Sequence, residues 1–160
     1  MSIIDRAFIE EAPLLEELTF RSKEHWGYSE TVLENWRRGY AGPPTQAFLD
    51  GRVMALRQQE GDSIVGYYAL AEMKDAEVGL THLFVEPDKI GYGYGHELFE
   101  RAIDQAQKIG GITLKIVSDP GAALFYERHG AKHLGVVTYP NNPGYTSPIL
   151  TLDLSRNIQK

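Results

Sequence analysis

The stretch Lys89-Ile90-Gly91-Tyr92-Gly93-Tyr94-Gly95-His96 constrains this chain more than any other. An apolar, β-rich run from Val78 to Val85 leads into it, and an amphipathic segment, Glu97 to Ile109, follows directly. Strand, glycine loop and helix in that order present bare backbone N–H groups and the positive end of a helix dipole to an anion. Alternate glycines remove side chains where a phosphate must meet the main chain, and they permit the positive φ angles of an anion nest. The loop therefore reads as a pyrophosphate cradle. A dinucleotide fingerprint would need a further glycine where His96 stands, and an acid about 20 residues on at the end of the next strand. Asp119 lies farther away and precedes a helix. A P-loop would close on Gly-Lys-Ser or Gly-Lys-Thr, which is absent. Neither pattern fits.

A chain of 160 residues is long enough for one domain, expected over 1–160, with a sizeable core. A net charge of −6 argues against a general nucleic-acid binder. The lack of cysteine excludes a disulfide framework, a cysteine nucleophile and thiolate metal sites. The five histidines show no close paired spacing with other ligands, so no metal is expected. No apolar run reaches membrane-spanning length and the first residues carry no signal-like apolar region, so a cytoplasmic location without membrane partners is the expectation.

Periodicity sets the order of elements. Ser2–Ile9 reads as a first strand. Pro13 follows two acids, and Leu14, Leu15, Leu18 and Ser22 share one face of a helix over Ala12–Glu24. Ser29 opens a short second helix carrying Val32, Leu33 and Trp36, which ends near Gly39. Ala47–Leu56 and Ile64–Glu72 read as strands joined by a turn over Gln59–Ser63, and Glu77–Val85 is the fourth strand. The helix after the glycine loop stops at Gly110-Gly111. Ile112–Val117 is a β-branched strand whose connection implies a parallel, right-handed crossover. A last helix spans Gly121–His129, and Ala131–Thr138 and Ser147–Leu154 close the chain around a loop at Tyr139–Thr146. The predicted class is α/β, a mixed sheet with the order β-α-α-β-β-β-α-β-α-β-β.

Two linked motifs carry a resemblance. The first is His82-Leu83-Phe84-Val85-Glu86-Pro87 with Gly91, Gly93 and Gly95. The second is Ser118-Asp119-Pro120 with Ala122, Phe125-Tyr126 and Gly130-Ala131. Together they resemble the GNAT superfamily of acetyl-CoA-dependent N-acetyltransferases, over nearly the whole chain, and imply a sheet splayed between strands 4 and 5. The resemblance implies acetyl-CoA as cosubstrate, held by the backbone of Phe84 and Val85 and by Ile90, Gly91, Tyr92, Gly93, Tyr94, Gly95 and His96. It also implies direct attack by a primary amine of a small molecule, peptide or protein. Ile90 stands where relatives usually carry Arg or Gln, and Asp119 where many carry an Asn that contacts the pantetheine, so the resemblance implies Asp119 and Tyr126 at the cofactor as well.

Tyr126 matches the family's tyrosine that protonates the departing sulfur; a phenol near pKa ~10 suits a thiolate near ~8.5. Base candidates are His82, expected on the same side as Leu80, Phe84 and Glu86, then Glu77, then Glu72. The acceptor pocket is expected between Trp26 and Tyr28, with His25 and Trp36, and Tyr145 with Tyr139. A homodimer, common among relatives, is compatible with this reading. Two alternatives stand beside it: a non-catalytic acyl-CoA sensor, and an interaction domain of the same fold.

Overall fold

The computed structural model describes residues 2–39, 42–59 and 62–155. Its elements run β1 (Ile3–Arg6), α1 (Ala12–His25), α2 (Glu30–Arg38), α3 (Thr45–Leu49), β2 (Val53–Arg57), β3 (Ile64–Leu70), β4 (Glu77–Val85), α4 (Tyr94–Lys108), β5 (Thr113–Val117), α5 (Ala123–Arg128), β6 (Lys132–Thr138) and β7 (Thr146–Asp153). The strands form one seven-stranded sheet in the order β1-β2-β3-β4-β5-β7-β6. Only β4 and β5 run parallel; every other neighbouring pair is antiparallel. The mixed α/β class is as read from the sequence.

Apolar periodicity decides which face each helix covers. Leu98, Phe99, Ala102, Ile103 and Ala106 recur along one stripe of α4 and pack on Val78, Leu80, Leu114, Ile116, Leu150 and Leu152. On the opposite face, Leu15 and Leu18 of α1 and Ala47 and Phe48 of α3 cover Val53, Ala55, Tyr67 and Ala69. The result is three layers, with β3 in the middle and buried along its whole length. Each such side chain withdrawn from water contributes roughly 1.5–3 kcal/mol, so the two apolar clusters outweigh any surface ion pair.

Several boundaries differ from those expected. The apolar run beginning at Ala47 is not one strand: Thr45–Leu49 form the helix α3, and β2 starts only at Val53. A short run that buries just Ala47 and Phe48 satisfies one helical turn as well as a strand, and Gly51, at φ 74°, turns the chain between them. α4 begins at Tyr94, three residues before the expected start, because Gly93 rather than a side chain caps it. The last helix opens as a 3-10 turn, Pro120–Ala122, before α5. The expected turn at Gln59–Ser63 lies partly outside the described residues.

Two features of β4 set up the site. First, its pairing with β3 shifts register between Ala69 and Leu70, so Ala69 faces His82 while Leu70 faces Leu80. Thr81 is the extra residue of this bulge, and its hydroxyl donates to Ala69 O at 3.2 Å. Alternation is thereby reset. Leu80 packs in the α4 cluster, whereas His82 and Phe84 stack near Tyr67 on the α1 side. His82 and Leu80 are thus on opposite faces, a correction to simple alternation. Second, β4–β5 pairing ends at Leu80 and Ile116, although β4 continues to Val85. Beyond that point β5 stays with β7, Val117 opposite Ile149, and Ser118 N–H donates to Pro148 O at 2.9 Å. The sheet opens into a wedge.

Close packing of α4 holds β4 in place on the other side. A Cβ added at Gly66 of β3 would lie 2.9 Å from Leu98 Cδ1 and 3.0 Å from the backbone oxygen of Phe84. The first would force the Leu98 side chain to shift, and the second is tighter than nearly all real Cβ contacts and meets backbone. Gly66→Ala is therefore expected to destabilise the fold by about 1–3 kcal/mol, read as a lower midpoint in urea denaturation; an unchanged midpoint would mean that α4 and β4 are not packed this tightly.

Candidate active site

The glycine loop connects the end of β4 to α4 through a 3-10 turn at Pro87–Lys89. Gly91 and Gly93 have φ of 95° and 84°, the left-handed region that favours glycine, and a Cβ at either would meet nothing within 4 Å. That open space is a cradle that side chains would fill. Gly95 is different: it sits in the first turn of α4, where its missing Cβ faces the Phe125 ring. The first hydrogen bond of α4 runs from Glu97 N–H to Gly93 O, so the N–H groups of Tyr94, Gly95 and His96 precede the helix ladder. With the 15-residue helix behind them, they are oriented for an anion.

A cavity of about 300 Å³ runs from this cradle into the wedge, lined by Leu83, Phe84, Val85, Lys89, Ile90, Gly91, Gly93, Tyr94, Gly95, His96, Trp26 and Tyr126 among others. Glu86 N–H donates to Val65 O on β3. Peptide groups alternate along a strand, so Phe84 also turns its N–H and C=O towards β3. Those of Leu83 and Val85 point into the wedge. The backbone edge expected at Phe84 and Val85 is therefore supplied by Leu83 and Val85, while Phe84 contributes its ring.

A second cavity, of about 370 Å³, lies on the α1 side and is lined by Thr19, Lys23, Trp36, His82, Tyr139, Asn141 and Ser147, among others. Leu83, Phe84, Asp119, Ala122 and Tyr126 line both cavities. The two spaces thus meet at Tyr126, which is almost wholly buried against Phe99 and Phe125. Its hydroxyl has no hydrogen-bond partner among the described residues. Burial raises its pKa above the usual phenol value, and the charge of Asp119 adds to the rise, so it holds its proton throughout the neutral range.

Between the cavities lies a polar cluster that residue spacing could not disclose. Lys23 of α1 places its ammonium 2.8 Å from Asp119 Oδ1, with both side chains largely buried. The Tyr28 hydroxyl donates to the same oxygen at 2.6 Å, and the Tyr145 hydroxyl donates to Tyr28 at 2.5 Å. Burial, then the carboxylate charge, pushes the Tyr28 pKa far up; burial likewise raises that of Tyr145. The ammonium also lies 4.2 Å from the Trp36 ring centroid, with Tyr28 and Phe84 at 5.0 and 5.2 Å. Lys23 lies near the end of α1, and a partner 96 residues away leaves no mark in the sequence. The neighbouring Arg21 makes a two-pronged bond to Glu86, 2.9 and 2.6 Å, which pins α1 over the end of β4.

The remaining expected site residues are distributed as follows. Ile90 lines the cradle cavity and is 40 % exposed. Tyr92 stacks on Tyr94 outside the cavity and is 68 % exposed. His82 lines the second cavity, its Nδ1 2.8 Å from the Thr81 hydroxyl. Glu77 sits exposed at the start of β4 opposite Thr113, and Glu72 is exposed beyond β3; neither lines either of these two cavities. Trp26 lines the cradle cavity rather than the second one, where it lies under Gly121. Tyr28 and Tyr145 stand behind Asp119 and shape the second cavity through Trp36, whose ring lies 5.2 Å from each of theirs.

A family model described as an acetyltransferase (GNAT) domain matches residues 27–142, and the chain belongs to that family. No curated protein matches the sequence. Among solved structures, the PaiA N-acetyltransferase of Thermoplasma acidophilum, in complex with coenzyme A, is similar at a TM-score of 0.74 and 18 % identity, over 96 % of this chain and 99 % of that one. The ribosomal-protein-S18-alanine N-acetyltransferase of Escherichia coli is similar at 0.67 and 21 %, over 97 % and 95 %. N-acetylglutamate synthase of Neisseria gonorrhoeae, complexed with coenzyme A and N-acetyl-glutamate, is similar at 0.65 and 23 %, over 98 % of this chain and 36 % of that one. At these identities the likeness is one of fold. Among the described residues, no helix is long and apolar enough to cross a membrane.

The Lys23–Asp119 pair yields a stability test. Removing one member strands the other charge where water scarcely reaches it, at a cost of about 3 kcal/mol. Lys23→Met is expected to lose that much in chemical denaturation, and the double variant Lys23→Met/Asp119→Asn to recover most of it. Additive losses would show that the two groups are not coupled.

Proposed function

We propose that this chain is an N-acetyltransferase that uses acetyl-CoA and transfers the acetyl group directly to a primary amine of a small molecule or peptide. The observation that carries the proposal is the junction of the two cavities at Tyr126. One space has the donors a coenzyme's phosphates need, and the other admits an acceptor; a direct transfer requires that they touch.

The residues present fit coenzyme A. The backbone N–H groups at Gly91 to His96 would hold its pyrophosphate, and Lys89 adds positive charge at the same wall. The free peptide edge of Leu83 and Val85 would pair with the amide-rich pantetheine arm like an added strand. Bound there, acetyl-CoA supplies a thioester carbonyl as electrophile. His82, in the acceptor cavity, takes the proton that an incoming ammonium must lose before its nitrogen can attack. Tyr126 would give its hydroxyl proton to the sulfur as the carbon–sulfur bond breaks and regain one from the attacking nitrogen, so that a neutral amide and a free thiol leave and the phenol is restored. Its raised pKa keeps the donor loaded at neutral pH. The Lys23–Asp119 pair presents almost no net charge to the acceptor, and the Trp36 and Tyr139 rings offer faces for an amine.

Thiol release from acetyl-CoA against a panel of amines, amino acids, polyamines and peptides tests this reading. Tyr126→Phe is expected to lower kcat by about 100-fold or more while leaving the melting temperature unchanged, because the hydroxyl supports no other group. Unchanged turnover would remove Tyr126 from the mechanism. Gly93→Asp is expected to abolish thermal stabilisation by acetyl-CoA, since a carboxylate would occupy the cradle. Stabilisation of the unaltered protein without thiol release from any amine would favour the non-catalytic sensor instead.

A further inference from the structure

Behind the cradle, on the solvent side of α4, three potential metal ligands converge. His96 and Glu100 are one turn apart on α4, their side chains 59 % and 57 % exposed, with His96 Nε2 3.8 Å from Glu100 Oε1. His129 arrives from the end of α5 and places Nε2 2.9 Å from His96 Nδ1. One ligand atom from each of the three lies within 4.8 Å of the others. Sequence spacing alone does not disclose this set, because His129 is 33 residues from His96 and only the fold brings it beside the His96–Glu100 pair.

The proton arrangement makes this more than a coincidence of side chains. His129 Nδ1 lies 2.8 Å from the carbonyl oxygen of Phe125, which can only accept. Nδ1 therefore carries a proton, and Nε2, turned towards His96, is the atom left for a metal. A backbone carbonyl fixing the tautomer of a histidine in this way is the usual support of a metal ligand. The ring itself is immobilised between Phe99 and Phe125, at centroid distances of 5.1 and 4.6 Å. Without a cation, the two imidazoles meet across a hydrogen bond of 2.9 Å. Zinc–nitrogen bonds of about 2.1 Å at a tetrahedral angle hold ligand nitrogens about 3.4 Å apart, so the rings part by about half an ångström. Glu100, which lies nearer the opposite nitrogen of His96, swings its exposed carboxylate towards Nδ1.

We propose that His96, Glu100 and His129 form a site for a divalent transition metal, zinc by its ligand set of two imidazoles and one carboxylate. Three protein ligands leave the fourth tetrahedral position for water or an anion. His96 also lines the cradle cavity, so the bound dication sits at the wall of that groove. Accordingly, metal and acetyl-CoA bind more tightly together than apart; this coupling rests on the groove being the coenzyme site.

The test uses untagged, full-length protein titrated with zinc chloride by calorimetry in the absence of coenzyme. One equivalent is expected to bind, with Glu100→Gln and His96→Gln each weakening it by about 10- to 100-fold, at least the loss typical of removing even a supporting group. Cobalt substitution is expected to give the visible absorption of a tetrahedral ion. His133→Ala is the control, because His133 also pairs with a carboxylate, Glu127, but lies outside the cluster; its isotherm should be unchanged. Absence of a stoichiometric isotherm, or equal weakening by His133→Ala, would overturn the site. In a second titration, zinc is expected to tighten acetyl-CoA binding by about 5-fold or more. Unchanged coenzyme affinity would overturn the coupling, and no coenzyme binding with or without zinc would instead refute the groove's assignment, leaving the zinc isotherm to decide the site.

Discussion

The structure depends on where β4 and β5 let go of each other. Four residue pairs hold them together, ending at Leu80 and Ile116. After that β4 remains bound to β3 as far as Val85, and β5 is drawn away by β7 and by the Ser118 to Pro148 hydrogen bond. Buried peptide groups without partners are costly, so a sheet that opens inside a protein must have something to pair with them. Here the unpaired groups of Leu83 and Val85 face a groove that begins at the glycine cradle. Separation of the strands, exposure of the β4 edge and the placement of the cradle are consequences of one topological event.

A gap in a sheet would weaken the fold if nothing spanned it. The Lys23–Asp119 pair does so: Lys23 belongs to α1, which covers the β4 half, and Asp119 follows β5 in the other half. Tyr28 and Tyr145 extend the link to the loop before β7. Net energy does not account for the ion pair, because two desolvated charges cost nearly as much as they return. Its value lies in geometry, since it fixes the distance between α1 and the β5–α5 connection and so the width of the junction at Tyr126. It also accounts for an aspartate where many relatives have asparagine: the carboxylate answers a buried lysine.

Much of this was legible from the residues, and the rest was hidden for identifiable reasons. The cradle was readable because glycine is the one residue whose identity reports backbone conformation, and Gly91 and Gly93 adopt the positive φ their spacing implied. Element order followed from apolar periodicity, except at Ala47–Leu49, where three apolar residues fit a turn of helix as well as a strand. The Thr81 bulge inserts a residue without changing composition, so alternation placed His82 on the face of Leu80 when it lies opposite. Which peptide groups of β4 are free depends on hydrogen-bond parity with β3, and that parity exchanges Phe84 for Leu83. The contacts of Lys23 with Asp119, and of His96 with His129, join residues far apart in the chain, and only the folded topology brings them together.

The central claim is that the opened edge of β4 receives a coenzyme as an added strand. Amide hydrogen exchange followed by NMR, with and without saturating coenzyme A, reads this residue by residue. The account predicts that exchange at Leu83 and Val85 slows on binding together with that at Gly91 to His96, while Phe84, already turned towards β3, changes little. Exchange at Leu83 and Val85 that is unaffected by bound coenzyme would contradict it.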